Sequence, residues 1–239
     1  MMSIKQILVI GGSSSIGLKL VKSLLNKNYR VIAHYRSDDD VLEKLRKKYS
    51  NHLRLIHADF LEEKSFNEFI SFLDQADAIH SVVHLPSPPI LIEPIFKIDW
   101  LTFEKHLSVQ LKSLHSVISK CLKDMKKTGD AKIISIGSEA ITSPHTPKGF
   151  TAYAVAKGAL NQYLKSLKSE VEDYGVGVYQ IIPGMFKSPL LNEIPNYVVE
   201  QTIGSTNLEE SSVKKQNKIV NIIVSLLTEN ARAENNIFV

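Results

Sequence analysis

The chain has 239 residues, 44% of them apolar, with 29 Lys and Arg against 25 Asp and Glu and a single cysteine. One α/β domain of that length buries roughly 70 to 75% of its unfolded surface without staples, the lone Cys121 excludes an internal disulfide, and nowhere do 18 apolar residues run together. A formal charge of +4 is modest and its densest basic stretch, KDMKKTGDAK, is interrupted by acids, so neither nucleic acid nor a membrane is an expected partner.

The N-terminal apolar run is too short for a signal-peptide core, which predicts a cytoplasmic protein. That first strand, IKQILVI, runs into GGSSSIG and then an amphipathic helix, LKLVKSLLNKN. Strand, glycine-rich turn and helix in that order bring free backbone N–H groups and the positive end of a helix dipole to one point, a site for a pyrophosphate. The plain alternative is a serine-capped helix. Further short runs follow: YRVIAHY, HLRLIHA, AIHSVVHL, AKIISIG and VGVYQII, with a last strand expected at NNIFV. Their alternation with longer amphipathic segments predicts an α/β fold with a parallel sheet and right-handed crossovers, helices on both faces, in one domain over 1–239. The acidic run Asp38 to Asp40 reads as the opening of a helix, with Asp at its cap.

From Phe103, the positions Leu107, Leu111, Leu114, Ile118, Cys121 and Met125 recur at spacings of four and three, predicting one long helix with that stripe buried. Cys121 is expected to be an ordinary helix residue. The next helix repeats the spacing with Tyr153, Lys157, Leu160, Leu164, Leu167 and Val171. About one Tyr-x-x-x-Lys match is expected by chance in a chain this rich in lysine, but the stripe puts this pair on the buried or cleft-facing side. An ammonium there needs a polar partner.

These residues resemble the short-chain dehydrogenase/reductase family along nearly the whole chain. Its Thr-Gly-x-x-x-Gly-x-Gly motif aligns with Ile10, Gly11, Ser15 and Gly17, so the resemblance implies a Rossmann-type doubly wound sheet of about seven strands whose turn, including Ser13, Ser14 and Ile16, holds a nicotinamide dinucleotide. Tyr35 stands where NAD-preferring members carry an acid, and Arg36 with Ser37 favours NADPH over NADH. Asp59 and Phe60 fall at the adenine end. Tyr153 is implied as the proton donor, Lys157 as the cation that lowers its pKa and holds the ribose, Ser138 as the carbonyl's hydrogen-bond partner and Gln110 as a relay residue in place of asparagine. Pro183, Gly184 and Ser188 match the turn beside the nicotinamide, and no metal site is implied.

Two departures stand out: the usual Asn-Asn-Ala-Gly segment reads HLPS from His84 to Ser87, and Ser15 replaces a glycine. His84 is expected to be a packed strand-end residue. Residues 185–207 read as a lid, whose Met185, Phe186, Leu190, Leu191 and Ile194 would make the substrate cleft apolar. The expected function is an NADPH-dependent carbonyl reductase for a small-molecule or carrier-bound ketone or ketoacyl substrate; the alternative is a nucleotide-binding subunit or regulator with weakened catalysis. A nucleotide-sugar epimerase would need a larger C-terminal region. By analogy a homodimer or homotetramer is expected.

Overall fold

Seven β-branched and apolar runs form one parallel sheet in a computed structural model that describes residues 4–37, 39–142, 146, 148–192, 194, 207–228 and 236–239. The strands are β1 Gln6–Ile10, β2 Arg30–Tyr35, β3 Leu53–His57, β4 Ser81–His84, β5 Lys132–Ile136, β6 Gly177–Ile182 and β7 Asn236–Phe238. They lie in the order β3-β2-β1-β4-β5-β6-β7, all neighbours parallel. The helices are α1 Ser15–Asn26, α2 Asp40–Lys48, α3 Glu63–Asp74, α4 Trp100–Leu107, α5 Ser113–Thr128, α6 Thr151–Val171 and α7 Leu208–Thr228.

Alternate strand residues feed two cores, because successive side chains leave a strand on opposite faces. Ile7, Val9, Ile134 and Ile181 pack with Leu20 and Leu24 of α1 and Ile219 and Ile223 of α7. On the other face Leu8, Val82, Ile133 and Val178 meet Phe69 of α3, Leu114 of α5 and Leu160 and Leu164 of α6. Strands covered on both sides are buried at every position, as β1 and β4 are, with the apolar run ILVI in β1 and Val82 and Val83 in β4. The fold is thus the Rossmann-type doubly wound α/β sheet that the sequence predicts.

The acidic run resolves as a cap. Asp39 Oδ1 accepts from the amides of Val41 (2.8 Å) and Leu42 (3.0 Å), opening α2; Asp38 lies outside the described residues. Cys121 is buried, and burial pushes its thiol up to about 12, so it is an inert packing group as expected.

One expectation fails in an informative way. The stripe of the long helix holds from Leu114 onward, where Leu114, Ile118, Cys121 and Met125 are buried. In the preceding half Leu107 and Leu111 are only half-buried, and the fully buried positions are His106 and Gln110. The cause is a π-helical turn over Ser108–Lys112. A π turn carries an extra residue, and one residue rotates the face by about 100°. Ser113 holds the turn by donating to the Val109 carbonyl (2.7 Å) while His84 Nε2 meets the Ser113 hydroxyl (2.8 Å). His84 is therefore a packed strand-end residue.

Candidate active site

Beside β1 the chain order of the strands reverses, and ligands in such sheets bind at the carboxyl ends near that point. There the ends of β1, β2, β4, β5 and β6 open on a cleft of about 770 Å³. The predicted residues Gly11, Ser13, Ser14, Ser15, Ile16, Arg36, Ser37, Asp59, Phe60, Ser138, Tyr153, Lys157, Pro183, Gly184 and Ser188 all border it. Gly17 and Gln110 do not.

Gly17 works from beneath. A Cβ there would stand 2.2 Å from the Gly11 carbonyl oxygen and 2.8 Å from Gly12 Cα, so α1 can approach the turn this closely only with glycine. Gly11 itself has φ +83°, open to glycine without strain. Ser14 is the helix cap: its hydroxyl accepts from the Gly17 amide (3.0 Å) and donates to the Gly11 carbonyl (2.8 Å). Cap and anion site coexist, because the first-turn amides of Ser15 and Ile16 have no acceptor among the described residues. Ser15 does not close the turn; it borders the cleft. Free amides at a helix N-terminus suit a dinucleotide's phosphates. We expect Gly17→Ala to force the Gly11–Gly12 backbone aside and to cost about 1–3 kcal/mol of stability, measurable by chemical denaturation.

The end of the cleft beside β2 and β3 is built around a residue that sequence reasoning missed. His34, at the end of β2, is 3% exposed. Its Nδ1 accepts from the Gly11 amide (3.3 Å), its Nε2 meets the Ala58 carbonyl (2.9 Å) and its ring stacks on Phe60 at 4.3 Å. One imidazole thus ties the glycine turn to the third-strand end. Burial drives its pKa down to about 4, which keeps it neutral and Nδ1 free to accept. Asp59 Oδ1 accepts from the Leu61 amide (2.9 Å), fixing the carboxylate in the cleft wall. Arg36 and Ser37 are exposed at its rim, and Arg36 makes no ion pair among the described residues.

At the other end α6 presents Tyr153 and Lys157 one turn apart, as the stripe predicts; both are buried, as are Leu160, Leu164, Leu167 and Val171. Ser138 follows β5 and caps a short turn, Glu139–Ile141, by accepting from the Ala140 amide at 3.2 Å. The Ser138 side chain stands close enough to the Tyr153 phenol to lower its pKa. Lys157 Nζ donates to the Ile136 carbonyl (2.8 Å), the polar partner that a buried ammonium needs, and lies 5.8 Å from the Tyr153 ring centroid.

The electrostatics depart from expectation. Burial pushes the Tyr153 phenol above its ordinary value, and the Ser138 side chain offsets only part of that. Lys157 is not among the causes of that shift, and the same desolvation brings its own pKa down to about 7. Gln110, expected as a relay, is buried behind the cleft wall, where its amide nitrogen reaches Ser87, a cleft residue, at 3.1 Å.

Beyond Tyr153 the cleft turns apolar: Ile90, Phe150, Leu191, Ile194 and Leu208 cluster with it, and Met185 and Leu190 pack alongside. Phe186 lines the same cleft as expected, and also packs against the core on the α1 and α7 side. Of the expected lid, residues 193 and 195–206 lie outside the described residues. The wall at Pro88, Pro89 and Ile90 was also missed from sequence; its signal was the proline pair after β4, which cannot continue the strand.

The short chain dehydrogenase family model matches residues 5–197. An uncharacterised oxidoreductase of Bacillus subtilis (strain 168), YmfI, is 22% identical over 196 residues, which cover 79% of this chain and 78% of that protein. L-rhamnose 1-dehydrogenase (NADP(+)) of Thermoplasma acidophilum is 25% identical over 221 residues, 87% of this chain and 86% of its own. Among solved structures, a blue fluorescent protein from a metagenomic library, in complex with NADPH, has a TM-score of 0.82 at 18% identity, covering 98% of this chain and 96% of that one. With the family model running from β1 past β6, through most of its length, the chain belongs to the short chain dehydrogenase family of oxidoreductases.

Proposed function

We propose that the protein is an NADPH-dependent carbonyl reductase acting on a largely apolar ketone or ketoacyl substrate, free or carrier-bound. The observation that carries this reading is that Tyr153, Ser138 and Lys157 border the same cleft as the glycine turn. NADPH, when bound, supplies the hydride. The phenol of Tyr153, kept protonated by burial, holds the proton for the carbonyl oxygen, and Ser138, beside it, offers a second hydroxyl to the same atom. Ile90, Phe150 and Leu191 exclude water from that point. Their apolar faces favour an aliphatic or aromatic ketone over a sugar. A relative and a structural neighbour whose names carry NADP(+) and NADPH support the choice of cofactor. So does Arg36, since a guanidinium pairs with a 2′-phosphate.

The alternative, a regulator that binds the dinucleotide without turnover, draws on Gln110, which lies outside the cleft. A spectrophotometric screen of NADPH oxidation against a panel of ketones separates the two. Reduction of an apolar ketone is expected, with Arg36→Ala raising the KM for NADPH about tenfold and leaving that for NADH unchanged. Calorimetric binding of NADPH with no ketone reduced would favour the regulator.

A further inference from the structure

Behind the cleft wall, three polar side chains form a line ending at the phenol. The Ser87 hydroxyl donates to the Pro88 carbonyl (3.2 Å), so its oxygen accepts from Gln110 Nε2 at 3.1 Å. The same amide nitrogen lies 3.1 Å from His106 Nδ1, which in this amide orientation accepts its second hydrogen. The His106 ring stands edge-on to Tyr153, centroids 6.0 Å apart at 78°. Phe150 makes a second edge contact with that ring at 6.4 Å, also 78°. The π turn brings this about: by rotating the helix face it turns His106 and Gln110 inward together.

This line costs free energy to keep. His106 is 2% exposed, and Gln110 Oε1 is buried without a hydrogen-bond partner among the described residues. An apolar pair would fill the same space without desolvating two polar groups. Such a cost is expected at sites under functional constraint.

We propose that His106 is a positioning residue for the reaction: it fixes the amide of Gln110 and, with Phe150 as the second edge contact, sets the angle at which the Tyr153 hydroxyl meets Ser138. The inference rests on the reductase reading. It also explains two departures from the family pattern as one unit, because Ser87 and Gln110 bond to each other.

The test is a double-mutant cycle on the full chain. His106→Phe keeps a ring and removes the acceptor, and Gln110→Leu removes the donor. Each is expected to lower kcat about tenfold, as misplacing a reacting group does, with the KM for NADPH unchanged. Together they should lose no more than either alone, and His106→Asn, which keeps an acceptor near the Nδ1 position, should recover part of the loss. A His106→Phe protein with kcat within about twofold of the parent, or losses that multiply, would overturn the proposal. Absence of turnover in the parent protein would instead remove the reductase reading. In that case nitrogen NMR of the parent decides the rest: His106 protonated on Nε2 alone is expected, and a proton on Nδ1 overturns it.

Discussion

Tyr153→Phe is expected to abolish ketone reduction, lowering kcat by about 100-fold to 10,000-fold, the range of a general acid's contribution, while leaving NADPH binding and the fold intact. The substitution removes one oxygen. The ring keeps its edge contacts with His106 at 6.0 Å and Phe150 at 6.4 Å, and its place among Ile90, Leu191 and Leu208. Ser138 is not orphaned, since its hydroxyl still accepts from the Ala140 amide. The stability cost is therefore at most about 1 kcal/mol, the worth of one hydrogen bond. Tyr163→Phe is the control. That tyrosine lies on the same helix, but its hydroxyl faces His115 at 3.3 Å, outside the cleft. NADPH oxidation and calorimetric binding, measured on both variants, should separate them. Loss of binding in Tyr153→Phe, or activity equal to that of the parent, would remove the tyrosine from the chemistry.

What could be read from the sequence follows from how local each signal is. The strands were legible because a parallel sheet covered on both faces demands short apolar stretches such as ILVI and the two valines of SVVH, and the chain punctuates them with glycine, proline and polar turns. Tyr153 and Lys157 were legible because their stripe continues through Leu160 to Val171 without a break. The π turn was not, since its extra residue leaves both Leu107/Leu111 and His106/Gln110 at helical spacing and only the packing chooses between them. His34 was missed for a different reason. Its partners Gly11, Ala58 and Phe60 come from three separate segments, and no spacing along β2 announces them. Charge states are still less local. The direction of the Tyr153 shift depends on how much solvent the closed α6 face excludes, and that same exclusion weakens the ammonium meant to oppose it.

Those buried imidazoles carry a consequence that can be measured without any substrate. His34, His84 and His106 are each at most 3% exposed, and their pKa values are brought down from 6.5 to about 4, about 3 and about 4. Desolvation is the first cause for all three, with the Lys157 charge second for His84 and His106. Above the unfolded value both states are neutral and the histidines contribute nothing. As pH falls below it the unfolded chain binds protons that the fold refuses, so stability drops until the folded pKa values are reached. Each group gives about 1.4 kcal/mol per pH unit, so by about pH 5 the three together should remove on the order of 6 kcal/mol. That is comparable to the whole stability of an ordinary domain, about 5–15 kcal/mol. His80, also lowered by burial, adds in the same direction, and Asp130, held low by Lys5 and His80, continues the loss at still lower pH. Urea unfolding followed from neutral pH to about pH 5 should therefore show a steep decline. His84→Gln should remove about a third of the slope, because its amide can keep the Ser113 contact without taking up a proton. A flat profile over that interval would mean that the three rings are solvated, and with them the polar line behind Tyr153.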